Sequence, residues 1–108
     1  MNAGERLAAR HYRLRGYRIL DTNARGAGNE VDLVVRRGSH LVFVEVKQRA
    51  RDTFGGPLGA VDAEKRRRVR RAAAAWLRSH PESASLEVRF EVCSVLDGKV
   101  ERLVMSSD

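Results

Sequence analysis

A mixed α/β domain with helices packed on a single sheet is the fold class the sequence predicts. Strand-type runs stand on both sides of one strongly periodic helix, and the chain is too short for more than one core. At 108 residues and 43% hydrophobic composition, it suits one compact domain. A domain over residues 1–104 is expected, with Met105 to Asp108 as a frayed tail.

From Ala3 to Leu14, the residues Leu7, Ala8, Tyr12 and Leu14 recur at roughly helical spacing, and Gly16 stands where a helix stops. Tyr17 to Leu20, Val31 to Val35 and Leu41 to Val46 are rich in β-branched and aromatic residues, with Arg36-Arg37-Gly38-Ser39 as the turn between the last two. These runs predict an antiparallel meander. After the Gly-rich stretch around Gly55-Gly56-Pro57, the segment Asp62 to Ser79 places Val69, Ala72, Ala73, Trp76 and Leu77 on one helical face. Asp62 is its N-cap, and Pro81 marks its stop. Leu86 to Leu96 alternates again, and Asp97-Gly98 turns the chain into Val100 to Val104. The order is α-β-β-β-α-β-β. A helix between the third and fourth strands makes those two parallel and the sheet mixed.

Lys plus Arg number 21 against 14 for Asp plus Glu, a formal net charge of +7, so polyanions are the favoured partners, nucleic acid first and DNA the expected form. No apolar run approaches the length of a bilayer span and Met1 to Arg6 lacks a signal-peptide pattern, so no membrane partner and a cytoplasmic location are expected. Cys93, the lone cysteine, sits in an apolar run and reads as a small buried hydrophobe. His11, His40 and His80 show no metal-binding spacing.

Alternation of strand side chains places Glu30, Asp32 and Val34 on one face, and Leu41, Phe43, Glu45 and Lys47 on one face of the next strand. Val42, Val44 and Val46 then point the other way and should be buried. Carboxylates and a lysine on a core-facing row are costly to desolvate unless they pair or bind a metal. Asp32 and Glu45, converging from neighbouring strands, offer the hard oxygen ligands that Mg²⁺ or Mn²⁺ takes, and Lys47 suits catalysis better than metal binding. Glu45 and Lys47 also fit an ion pair on an exposed sheet. Glu5 fits the first turn of its helix, Glu30 either a second layer around the site or an arginine partner, and Gln48 either that layer or an exposed strand end.

Asp32 followed after a hairpin by Glu45-Val46-Lys47 resembles the PD-(D/E)xK nuclease signature. Its surroundings sharpen the likeness: Gly4-Glu5-x-x-Ala8, Gly16-Tyr17-x-Ile19-Leu20-x-x-Asn23-x-Arg25, Glu30-Val31-Asp32-Leu33-Val34, Leu41 to Lys47 with Arg49, Lys65 and Arg89-Phe90-Glu91-Val92 resemble the bacterial YraN-like family. That resemblance implies a restriction-endonuclease-like fold related to Holliday-junction resolvases. It implies Asp32 and Glu45 as metal ligands, Lys47 as the catalytic lysine and Glu5 as an auxiliary acid. Trp76, where relatives usually carry Tyr, and Gly28-Asn29, where paired glycines are common, depart from the pattern without touching the ligands.

Lys65, Arg66, Arg67, Arg68, Arg70, Arg71 and Arg78 on the second helix meet only Asp62 and Glu64 as counter-charges. Arg67, Arg70, Arg71 and Arg78 should project outward, while Lys65 and Arg66 reach toward the site; with Arg49 they would contact phosphates without reading sequence. The function expected is a metal-dependent nuclease acting on DNA that is branched, flapped or single-stranded. The alternative is a non-catalytic nucleic-acid-binding module that keeps the fold. A homodimer is expected only by analogy with junction-cutting enzymes.

Overall fold

The computed structural model describes residues 1–49 and 61–105, so the Gly55-Gly56-Pro57 loop and the end of the expected tail lie outside the described residues. The elements follow the expected order: α1 (Ala3–Leu14), β1 (Arg18–Gly26), β2 (Asn29–Arg37), β3 (His40–Arg49), α2 (Ala63–Ser79), β4 (Glu87–Leu96) and β5 (Lys99–Val104). A short 3₁₀ turn, Pro81–Ser83, closes α2 where Pro81 cannot continue it. The five strands form one sheet in chain order. β3 and β4 are parallel across the α2 connection and the other pairs are antiparallel.

Each helix seals one face. Val42 and Val44 are fully buried and Val46 half-buried in a cluster with Ala8, Ala9 and Tyr12 of α1, as the alternation required. Leu41, Phe43 and Val92 point the other way, into a cluster with Val69, Ala72, Ala73 and Trp76 of α2. Two central strands covered on both faces explain why β3 is an almost unbroken apolar run. No helix among the described residues is long and apolar enough to cross a membrane.

Several local features depart from the sequence reading. Asn2 caps α1: its side chain accepts from the Glu5 N–H at 2.8 Å while Glu5 accepts from the Asn2 N–H at 3.1 Å, a reciprocal capping box. β1 extends to Gly26, far beyond Leu20, because pairing with β2 outweighs the weak strand preference of Asp21 to Gly26, and a bulge at Leu20 shifts the register. Gly26 is required by close approach: a Cβ there would meet the Cβ of Ala75 on α2 at 2.6 Å. Met105, expected at the head of a frayed tail, is buried in the α2-side cluster, and its N–H donates to the Phe90 carbonyl at 2.8 Å.

The β1–β2 turn holds Ala27 at φ 53° and Gly28 at φ 77°, while the β4–β5 turn holds Asp97 and Gly98 at φ 50° and 75°. Both turns need left-handed backbone at two successive residues, which suits Asp-Gly and strains alanine. Ala27→Gly is therefore expected to stabilise the protein by about 0.5–1 kcal/mol, read as a higher denaturant midpoint with unchanged slope.

Candidate active site

The central strands part at one place. Ladder pairing between β2 and β3 stops at Leu33 and Val44, so Asp32 and Glu45 stand where the two strands separate. There the Asp32 side chain takes over from the backbone: its Oδ2 accepts from the Val46 N–H at 2.7 Å. The break also upsets the expected alternation. Val31 joins the α2-side cluster with Val34, three residues away, so strict alternation fails around Asp32.

Glu45 is 5% exposed, and its Oε1 is buried without a hydrogen-bond partner. Its Oε2 lies 3.5 Å from the Lys65 ammonium, which reaches down from the first turn of α2. Burial, reinforced by the charge of Asp32, pushes the Glu45 carboxyl up to about 8. Burial also raises Asp32, against the opposing hydrogen bond from Val46. Both carboxyls are thus raised by burial and by each other's charge, and the Lys65 ammonium is the cation that stands beside them.

A cleft of about 260 Å³ opens over Glu45, lined by Glu45, Lys47, Asp62, Lys65 and Arg68, with Asp32 behind it. Lys47 is exposed on the same row as Glu45, so its ammonium is available to a ligand in the cleft. Asp62 is there because it caps α2, accepting from the Lys65 N–H at 2.8 Å. That cap orients the helix turn that brings Lys65 to Glu45.

The remaining expected residues fall in different places. Glu5 is buried as a member of the capping box in the first turn of α1, and its charge is felt at Asp32. Asn23, which the sequence reading left without a role, bridges it to Glu30: its amide donates to Glu5 at 3.3 Å and to Glu30 at 3.2 Å from left-handed backbone at φ 49°. Glu30 also meets Arg25 at 3.7 Å. Gln48 is an exposed strand end packed on Gly4 of α1, away from the cleft.

Among the basic residues, Arg67 and Arg71 are exposed as expected. Arg70 is not free of the fold: it is half-buried with its guanidinium 5.0 Å from the Phe90 ring. Arg66 donates to the Val61 carbonyl at 2.9 Å. Arg49, expected on phosphates, is 8% exposed and donates to the Ser94 hydroxyl at 2.9 Å, because its long side chain covers the end of β4. Cys93 is buried, and its thiol is pushed up to about 12 by burial, as befits a small core residue.

Residues 4–95 match the uncharacterised protein family UPF0102. The chain belongs to this family. A UPF0102 protein of Methylobacterium nodulans is 44% identical over 106 residues, covering 98% of this chain and 81% of the relative. One from Frankia casuarinae is 49% identical over 92 residues, covering 85% and 77%, and one from Alkalilimnicola ehrlichii is 40% identical over 98 residues, covering 91% and 77%. UPF0102 is the YraN family that the motifs resembled, and the matched span of residues 4–95 contains the positions of Asp32, Glu45, Lys47 and Lys65.

The raised Glu45 carboxyl has a measurable consequence for this UPF0102 protein. A folded-state value near 8 against an ordinary 4.5 means that at this group the native state binds more protons across that interval, so the contribution of Glu45 to stability is fullest below about pH 4.5 and is lost as pH rises through 8. In EDTA, the stability of the wild type relative to Glu45→Gln is expected to decline over this window, as read by denaturation midpoints. A difference independent of pH would show that Glu45 titrates normally.

Proposed function

We propose that this protein is a metal-dependent phosphodiesterase acting on nucleic acid, most simply DNA, with Asp32 and Glu45 as ligands of Mg²⁺ or Mn²⁺ and Lys47 as the catalytic lysine. The observation that carries this reading is the Glu45 Oε1, buried, unpartnered and beside a second carboxylate. Two adjoining buried carboxyls are costly in an apolar sheet, and the single Lys65 ammonium beside Glu45 offsets only one negative charge, which favours a further cation at the pair.

The donor set fits a hard divalent ion. Among the described residues, no group of three or more His, Cys, Asp and Glu side chains is arranged around a metal position. Mg²⁺ is commonly held by only one or two carboxylates, with water and substrate phosphate completing its shell, so the pair suffices. When bound, such an ion supplies Lewis-acid polarisation of a phosphoryl oxygen and a more acidic water.

The chain's own residues do the rest. Asp32 is fixed by the Val46 N–H, which holds one carboxylate oriented at the point where the strands part. Lys65, 3.5 Å from Glu45, supplies a positive charge to the pair from the protein itself. Lys47, on the same row and lining the cleft, is placed to steady charge on phosphate oxygens. The exposed Arg67 and Arg71 on α2 add contacts that position a backbone without reading bases.

Lys47→Ala is expected to lower the cleavage rate by about 10²- to 10³-fold while leaving Mn²⁺ affinity largely unchanged. The test of the function is incubation of the wild type with labelled single-stranded, duplex, flap and four-way DNA, with Mn²⁺ or EDTA. Cleavage that requires the metal supports the nuclease. DNA binding without metal-dependent cleavage of any substrate would favour a non-catalytic binding module.

A further inference from the structure

Arginines also gather at the other end of the sheet. Arg18 stands directly opposite Arg36 on the β1–β2 ladder, an arrangement of like charges that costs stability unless anions offset it. The next residue, Arg37, points to the α1 side. Its guanidinium lies 4.6 Å from the Tyr17 ring, and one Nη donates to the Arg15 carbonyl at 2.9 Å, so the fork is held in place before any ligand arrives. Arg37 pairs with His40 across the β2–β3 turn, and His40 lies beside Glu87 at 3.1 Å.

Arg89 approaches the same place from β4. Among the described residues its acidic neighbour is Glu91, 3.7 Å away and already served by better contacts: Arg102 donates to both of its oxygens at 3.0 and 3.2 Å, and the Tyr12 hydroxyl donates at 2.7 Å. Arg89 is thus a surplus cation, with its side chain 55% exposed. Two adjoining hollows, of about 370 and 170 Å³, share His40 and Arg89, and Tyr17 and Arg37 line the smaller. A concave site with two positioned guanidinia, in cation excess over its carboxylates, has the chemistry of a phosphate receptor.

We propose that Arg37 and Arg89, with His40 between them, form a second phosphate-binding surface that takes nucleic-acid backbone. It lies on the α1 side of the sheet and about 23 Å from Lys47, counting seven residues of β3 at about 3.3 Å each. It is therefore separate from the cleft and from the basic face of α2, and it does not depend on the acid pair being catalytic. A strand seated in the cleft meets this surface only if the nucleic acid passes around the sheet or a second segment arrives.

The test uses the whole chain in EDTA, so cleavage plays no part. In the wild type, the arginine Nε resonances assigned to Arg37 and Arg89 should shift on adding duplex DNA. The double variant Arg37→Gln, Arg89→Gln should bind that duplex roughly 10- to 100-fold more weakly near 0.1 M salt, with a log–log salt slope shallower by about 1.8, or 0.9 per lost contact. A companion Arg67→Gln, Arg71→Gln variant should lose affinity independently, and the losses should add. Inorganic phosphate forms a second arm. Shifts produced by phosphate but not by duplex, with unchanged duplex affinity in the double variant, would overturn the backbone as ligand and leave a small-anion site. If neither ligand moves these resonances, the surface itself is refuted, whether or not the protein proves to be a nuclease.

Discussion

Asp32→Asn and Glu45→Gln are each expected to abolish metal-dependent cleavage while leaving DNA affinity near or slightly above the wild-type value. Both substitutions preserve size and hydrogen-bonding capacity, so the notch between β2 and β3 persists: an Asn oxygen still accepts from the Val46 N–H. What disappears is a negative ligand atom. In Glu45→Gln the buried Oε1 no longer carries charge that needs compensation, and Lys65 loses its ion-pair partner. Repulsion between the site and substrate phosphates falls at the same time, which is why binding does not weaken. Gel-based cleavage and anisotropy, measured on the same preparations, separate the two effects. Residual metal-dependent cleavage close to the wild-type rate in either variant would remove that carboxylate from the proposed mechanism.

Glu91→Ala is expected to be the most damaging single change to the fold. Glu91 is 3% exposed and collects the Tyr12 hydroxyl and two donors from Arg102, tying α1 to β4 and β5. The same Arg102 guanidinium sits 4.6 Å from the Tyr12 ring and also donates to the Tyr17 hydroxyl at 3.2 Å. Removing the carboxylate leaves a half-buried cation and a buried hydroxyl without their acceptor. Loss of one partner from such a pair costs about 3–5 kcal/mol, a large share of the roughly 5–15 kcal/mol that holds a domain of this size together. Urea denaturation should show this loss, whereas Glu91→Gln, which keeps an acceptor, should lose distinctly less. Equal and small losses for both would make the network dispensable.

The elements and their order were legible because two periodicities dominate the chain: the 3.6-residue stripe of Val69, Ala72, Ala73 and Trp76, and the alternation in β3 that buried Val42 and Val44 opposite Glu45. Asp97-Gly98 could be read as a turn because its left-handed backbone has a local residue signature. The true length of β1 was not legible, since Asp21 to Gly26 prefer turns in isolation and become a strand only through pairing with β2. Nor was Met105, whose burial depends on a core assembled from distant segments.

The acid pair could be foreseen from charged residues inside apolar strands, but its surroundings could not. Strict alternation put Glu30 with Asp32, but it gave no hint that Asn23, arriving from β1, would join Glu30 to Glu5. Lys65 was expected near the site, but its direct contact with Glu45 depends on the angle at which α2 crosses the sheet. For Arg49, charge suggested a surface role. Reach and packing decided otherwise, because a long side chain at a strand end gains more by covering its neighbour.

Binding of Mn²⁺ to the isolated protein, followed by calorimetry and by the electron paramagnetic resonance of the ion, tests the central claim without relying on the right DNA substrate. Saturable binding in the wild type that is lost in both Asp32→Asn and Glu45→Gln, yet retained in Lys47→Ala, is the result this account predicts. A wild type that binds no Mn²⁺, or binding that survives in both carboxylate variants, would contradict it.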